Sequence, residues 1–374
     1  MVYYVAFYNP KEEAGCRVPN YAGEDKIDYI CETINSFGEN VTILSNTKSL
    51  DRRYQGRKNY VVSDQKRVVM FSSLPNIHPM VHAVDVIWGY IQLSLYLLMN
   101  VKREDTVIVY HSLGYRKLFN KLTEIKRFRY ILEVEELFQY IDSANSYKKK
   151  EHEVFLKPDA YIFSNAILED NINVSKKPAV VINGIYKNEK RVSVRKDVGH
   201  IRVLYAGNLD PQKGVDYVIR AANYLNRDFG IKIIGFGSKK DMERVGRLIG
   251  MINETSECKV SYDGVYKGED YLRYVQSCDI GVCIQDPDDI FNSYEFPSKI
   301  FSYMSNGLKV VVNQLEQVEK SRVAKNLIIA EGTEPQAIAK AIAKACDAQI
   351  QSDTILDELD KSFKKELRQL IRGE

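Results

Sequence analysis

The strongest constraint on this chain is an alternation that runs its whole length. Short β-branched and aromatic runs are separated by stretches whose apolar residues recur at helical spacing. Strands are expected over residues 2–8, 41–44, 106–111, 129–134, 160–164 and 179–182. A helix over 23–37 puts Ile27, Ile30, Cys31 and Ile34 on one face, and a mostly buried helix is expected over 81–99. A polar, charged stretch at 186–200 precedes a second series. It has strands over 201–205, 231–234, 279–283 and 309–312, and helices over 215–225, 239–252, 298–305 and 334–346. Alternation of this kind builds parallel sheets covered by helices on both faces.

At ~150 residues per domain, 374 residues give two such units. The expected division is 1–184 and 185–353: two Rossmann-like doubly wound α/β domains facing a cleft. An amphipathic helix at 354–374, with Leu356, Leu359, Phe363 and Leu367 on one stripe, is expected to pack back on the first. Doubly wound sheets bind ligands beyond the carboxyl ends of their strands, so the chemistry is expected there.

Composition excludes several classes. The 53 basic and 50 acidic residues leave a net charge of +3, too little for a polycationic nucleic-acid binder or an acidic-tail protein. With 14 Phe and 25 Tyr against 21 Gly and 10 Pro, the chain is neither low-complexity nor disordered. The six cysteines form no CxxC and no zinc-ligand spacing. The N-terminus lacks a basic region followed by an apolar stretch, so a cytoplasmic protein with free thiols is expected. The apolar run 87–99 is interrupted by Gly89 and Gln92 and is expected to be too short for a bilayer.

Three segments carry chemistry. In the first, Ala206-Gly207-Asn208-Leu209-Asp210-Pro211-Gln212-Lys213-Gly214, a strand ends in glycine and Lys213 precedes a helix. Such a loop lets backbone and an ammonium approach a phosphate, and equally describes an ordinary βα turn with a solvated lysine. The second, Ile234-Gly235-Phe236-Gly237-Ser238, reads alone as a tight turn or as a wall against a nucleoside. The third spans 291–312: a polar loop with Glu295, then Pro297-Ser298-Lys299, a short helix stopped by Asn306-Gly307, and a buried strand. Ser298 is the expected N-cap, and Lys299 with the adjacent amides suits a diphosphate.

The order G-x-L-x₃-K-G, GxG and a Pro-led helix ending in Gly before a Val-rich strand resembles the retaining GT-B glycosyltransferases, family 4 in particular. The segments 181–185 and 263–266 resemble that family's interdomain crossing and base-contacting stretch. Residues 24–45 and 131–136 resemble the N-terminal domains of bacterial surface-polysaccharide transferases. The resemblance implies transfer of a sugar from a nucleotide-diphosphate donor, a UDP-sugar, to a saccharide or lipid-linked saccharide acceptor. It implies no cofactor and no metal. Lys213 and Glu295 would be catalytic. Gly207, Asn208, Gly235, Gly237, Tyr266, Pro297, Ser298, Lys299 and Ser302 would bind the donor. Two positions depart from the family. Asn208 stands where an arginine is usual, so Lys299 is expected to supply that charge. Ser302 stands where a glutamate binds the ribose, and the carboxylate is displaced to Glu295. These departures leave open a second reading, a non-catalytic partner subunit of the same fold. A sugar-nucleotide epimerase would need acid/base residues that the pattern does not place, and no G-x-G-x-x-G follows the first strand to suggest a dehydrogenase.

On the acceptor side His111, Glu135 and Glu136 fall at carboxyl ends of strands. Arg17, in the loop 9–22, is a weaker candidate for the acceptor or a phosphate. Asp286-Pro287-Asp288-Asp289 is read as a solvated acidic loop rather than a divalent-cation site. Residues 115–129 carry six basic residues and one acidic, with Leu118, Phe119, Leu122 and Ile125 at helical spacing. They suit either a solvated helix or contact with an anionic membrane, and nucleic acid is not expected.

Overall fold

A computed structural model describes residues 1–137, 151–192, 199–286 and 295–374. Two compact units result: Met1–Ile185 with Phe363–Glu374, and Tyr186–Ser362.

The first unit is built on an eight-stranded sheet ordered β3-β4-β2-β1-β5-β6-β7-β8. Its strands are β1 (Val2–Ala6), β2 (Val41–Ser45), β3 (Lys58–Ser63), β4 (Lys66–Met70), β5 (Thr106–Tyr110), β6 (Arg129–Val134), β7 (Ala160–Phe163) and β8 (Ala179–Val181). All pairs are parallel except the hairpin β3–β4, whose outer strand is exposed and begins with a lysine. β1 is buried at every residue, as a strand covered on both faces must be. Among its helices, α1 (Tyr21–Ser36) buries Ile27, Ile30, Cys31 and Ile34 as expected. The helix α2 (Pro79–Asn100) corrects an expectation. It buries only the face that carries Asp85, Gly89, Leu93 and Leu97. Helix α3 (Arg116–Lys126) buries Phe119 and Leu122 and leaves Lys117, Lys121 and Ile125 exposed. Helix α4 (Ala166–Ile172) is capped by Asn165, whose side chain accepts from Leu168 N.

The second unit holds a six-stranded, fully parallel sheet ordered β11-β10-β9-β12-β13-β14. The strands are β9 (Ile201–Ala206), β10 (Phe229–Ile234), β11 (Lys259–Tyr262), β12 (Ile280–Cys283), β13 (Lys309–Asn313) and β14 (Ile328–Ala330). Helices α5 (Val215–Ala221), α6 (Lys239–Thr255), α7 (Gly268–Gln276), α8 (Lys299–Ser305), α9 (Glu316–Glu319) and α10 (Pro335–Asp347) follow in turn. Ser238 and Asp241 close a reciprocal capping box on α6. Val203, Tyr205, Ile231, Val282 and Ile342 sit in one core. The last helix, α11 (Ser352–Arg372), contains the division between units, and Phe363 stacks on Tyr29 within the first.

The strand order of each sheet turns back at one strand, β1 in the first and β9 in the second. Chains leaving opposite sides of that strand diverge and open a crevice at its carboxyl end. In the second unit the crevice is bordered by the loops after β9 and β12.

Candidate functional site

Site geometry in the second unit starts with Gly207, whose φ of 150° continues β9 into a loop. A Cβ there would lie 2.6 Å from Lys299 Cε, so a glycine is what lets the lysine stem cross the backbone. The Lys299 ammonium then stands 4.0 Å over the Tyr205 ring, a cation–π contact. Burial lowers the Lys299 pKa and the nearby Lys213 lowers it further, while Cys283 opposes both. Cys283 ends β12, and burial pushes its thiol up to about 11 although Lys299 and Lys213 both pull it down. Lys213 and Lys299 therefore stand near enough to act on each other and on Cys283 at the end of β12.

The loop between them is rigidly braced. The Tyr205 hydroxyl shares its one proton between the carbonyls of Asn208, at 2.7 Å, and Lys213, at 2.9 Å. Asp210 caps the single turn Pro211–Lys213 by accepting from Gln212 N at 2.9 Å. Gly214, with φ 84°, is pressed against β12's exit: a Cβ would fall 1.9 Å from Ile284 O. The Tyr303 hydroxyl on α8 accepts from Ala206 N at 2.8 Å, tying that helix to β9. Lys213 Nζ lies 3.8 Å from Glu295 Oε2, both side chains more than a third exposed.

Not every expected residue faces this crevice in the expected way. The exposed Asn208 spends its carboxamide oxygen on Asp210 N at 3.0 Å, closing its own turn. Gly235 and Gly237 serve the packing of two loops. A Cβ on Gly235 would sit 1.8 Å from Gly207 O, and one on Gly237 2.9 Å from Leu209 Cβ. Phe236 between them is exposed, an aromatic that the glycine pattern concealed. Ser298 is a correction. It already has helical φ and ψ because the turn begins at Pro297, whose carbonyl accepts from Ile300 N, so its hydroxyl makes no capping bond. Pro297 is buried and Ser298 exposed. Ser302 Oγ lies 3.1 Å from the Tyr271 hydroxyl of α7. Tyr266 stacks on Tyr274 at 4.6 Å. Tyr271 was not foreseen, because α7 follows a strand, β11, that the sequence pattern left unmarked. Residues 287–289 of the acidic loop and 291–294 of the third motif lie outside the described residues.

At the carboxyl edge of the first sheet, Lys26 holds Glu135 at 2.6 Å and donates to Ile182 O at 3.1 Å. Beneath it, the Tyr4 hydroxyl donates to the buried Glu133. Burial, then the neighbouring Glu135, raises the Glu133 carboxyl to about 8, against the pull of Lys26 and the Tyr4 bond. His111 corrects an expectation. It is 3 % exposed, its Nδ1 donates to Glu136 O at 3.2 Å, and its ring packs 5.2 Å from Phe155. Burial pushes its pKa down to about 4, against that hydrogen bond. A ring so enclosed does not reach a substrate hydroxyl. Arg17 is likewise interior. It lies 3.5 Å from Glu13 and donates to Thr47 O at 2.8 Å and Gly56 O at 3.1 Å, fastening its loop.

No family model matches the sequence, and no curated protein matches it. Solved structures do match the fold over nearly its whole length. Trehalose-6-phosphate synthase from E. coli, bound with UDP-2-fluoro glucose, superposes with a TM-score of 0.66 at 11 % identity, covering 100 % of this chain and 98 % of that one. The UDP-forming α,α-trehalose-phosphate synthase from Burkholderia xenovorans, in complex with glucose-6-phosphate, gives 0.61 at 10 %, covering 100 % and 98 %. Sucrose-phosphate synthase from Thermosynechococcus elongatus gives 0.58 at 13 %, covering 99 % and 94 %. The chain has the fold of these proteins, the two-Rossmann GT-B architecture.

Proposed function

We propose that this chain is a glycosyltransferase that takes a sugar from a nucleotide-diphosphate donor and gives it to a saccharide acceptor. The observation that carries this reading is a pair of lysines beyond the carboxyl ends of β9 and β12: Lys299, threaded past Gly207 over the Tyr205 ring, and Lys213, near enough to act on its charge. Like charges placed together favour a polyanion between them, and a diphosphate fits that demand. The E. coli neighbour carries a UDP sugar analogue, which makes uridine the base we favour. Phe236 and Tyr266 are then the aromatic surfaces offered to the base. Ser302, joined to Tyr271, faces the ribose in place of a carboxylate.

In the reaction the anomeric C–O bond to the diphosphate breaks and negative charge grows on the departing phosphate. Lys213 and Lys299 stabilise it. A bond from the acceptor oxygen to the anomeric carbon forms on the same face, giving retention. The acceptor proton passes to the leaving phosphate oxygen, so no separate base is required. Glu295, tethered to Lys213 and exposed, orients the sugar hydroxyls. On the first unit Glu135 is the group we assign to an acceptor hydroxyl. The Burkholderia neighbour is described with glucose-6-phosphate. For this chain we favour a saccharide or lipid-linked saccharide used in a cell-surface polysaccharide, on the resemblance of its N-terminal segments.

One observation favours a second reading, a non-catalytic partner of an active transferase: Ser302 and Asn208 are both engaged internally where the family has charged contacts. A thermal-shift panel of UDP-, GDP- and dTDP-sugars, followed by an assay for released nucleotide with candidate acceptors present, separates the two. Binding with turnover supports the enzyme, binding without turnover supports the partner, and no binding by any sugar nucleotide overturns both.

A further inference from the structure

Helix α2 breaks the rule that apolar helix faces are covered. By length and composition it is apolar enough to cross a membrane. One face is packed into the first unit through Leu93 and Leu97, so the helix lies along the domain instead of crossing anything. The opposite face is open: Met80, Val84, Ile87, Ile91, Leu95 and Met99 are all more than 40 % exposed. At about 100° per residue they fall within roughly 120° of arc. Trp88 and Leu98 fall inside the same arc, and both are exposed. No charge interrupts it. The one carboxylate of α2, Asp85, is turned inward, where it accepts from Leu74 N at 2.7 Å and Ser73 Oγ at 2.8 Å beside Lys48.

Cations surround the stripe. The Arg57 guanidinium stands 5.6 Å from the Tyr96 ring of α2, and Arg67 acts electrostatically on the same tyrosine. Helix α3 packs beside α2, with Tyr115 edge-on to Tyr90, and presents Lys117 and Lys121 to solvent. Lys102 and Arg103 are exposed directly after the helix. Of the acidic residues in these segments, Glu124 is held by Lys157 at 2.9 Å, while Glu104 near the helix end and Asp64, between Arg57 and Arg67 in the chain, are exposed.

We propose that the open face of α2, with this cationic border, docks the protein on an anionic lipid bilayer. An apolar stripe of this width seats at the boundary of headgroups and acyl chains, and the border cations meet the lipid phosphates. A second copy of the chain is the poorer occupant, because an isologous contact would bring two cationic borders together. The face is distinct from the basic segment 115–129 taken alone: α3 supplies charge and α2 supplies the apolar anchor. The inference does not rest on the donor-site reading, which nucleotide binding tests separately.

The chain contains a single tryptophan, and Trp88 is on this face, so the full-length protein reports its own docking. Its emission is expected to shift to the blue with vesicles of phosphatidylglycerol and phosphatidylcholine, and to stay unchanged with phosphatidylcholine alone. Cosedimentation with the anionic vesicles is expected to fall about tenfold or more in the triple variant I87S/I91S/L95S, whose melting should be unaltered since these side chains are exposed. The variant K117E/K121E, which leaves the apolar face intact, should also bind less, and added salt should mimic it. Three results would each overturn the proposal: no shift and no pelleting of the native protein, equal binding to neutral vesicles, or a dimer in sedimentation velocity that the triple variant dissolves.

Discussion

The carboxyl edges of the two sheets are alike in topology and opposite in electrostatics. In the first unit the charges at the edge are matched from within. Glu135 has Lys26, Glu133 is buried against Tyr4, and His111 is closed over a backbone carbonyl. In the second unit two lysines are brought near each other, and among the described residues Lys213 is answered by the exposed carboxylate of Glu295 at 3.8 Å. Similar scaffolding thus yields one edge whose charges are engaged within the unit and one that, among the described residues, carries surplus positive charge. The surplus is what marks a ligand site, because repulsion between fixed like charges is relieved only when an anion arrives.

The most direct way to break this comparison is to remove the surplus. Lys213→Ala is expected to reduce turnover by about 10²–10³-fold, or ~3–4 kcal/mol of transition-state stabilisation, with melting little changed. Single-turnover release of nucleotide measures it. Turnover equal to the native protein would strip the second edge of its assigned role.

The second lysine sharpens the comparison, because Lys299 is half structural. Methionine keeps the stem that crosses Gly207 but removes the ammonium and its cation–π contact with Tyr205. Lys299→Met should weaken donor binding about tenfold, ~1.4 kcal/mol. It should also flatten the salt dependence of binding by titration calorimetry. A loss of folding with no change in affinity among the soluble molecules would assign Lys299 to packing alone.

What the sequence made legible follows from how each feature is encoded. Strand runs such as 2–6 were readable because a strand covered on both faces is apolar throughout. The loop 207–214 was readable because glycines and a lysine at a strand end have few other uses. Helix α2 misled, since apolar residues on both of its faces look the same in sequence as a buried helix. His111 and Arg17 misled for a related reason: a polar residue at a strand end or in a loop does not announce whether it turns inward. The Ser298 cap failed because Pro297 had already started the turn. Lys299 meeting Tyr205 is a contact between β9 and α8, nearly a hundred residues apart, and no local pattern encodes it.

Stability against pH tests the satisfied edge. The Glu133 carboxyl is raised to about 8 in the fold, so its contribution is fully present below the ordinary carboxylate range and is lost as pH rises through that value. The native melting temperature should decline from mildly acidic to mildly alkaline pH. Glu133→Gln, which can still accept from Tyr4, should remove most of that decline. An unchanged slope would mean that the carboxyl is ionised in the fold and that the first edge is not neutral there.

The smallest expected effect concerns His111, and it has the opposite sign. Burial lowers its pKa from 6.5 to about 4, so the unfolded chain binds a proton that the folded chain refuses over that interval. The contribution is present above 6.5 and is lost as pH falls towards 4. His111→Asn, whose amide can still donate to Glu136 O, should flatten this acid limb of the melting curve while leaving turnover within about twofold of native. An imidazole that worked on a substrate hydroxyl would behave otherwise. Its removal would cost turnover by about 10²-fold or more and leave the acid limb alone. The two readouts therefore move in opposite directions under the two roles, and measuring both decides whether the first edge is scaffold or chemistry.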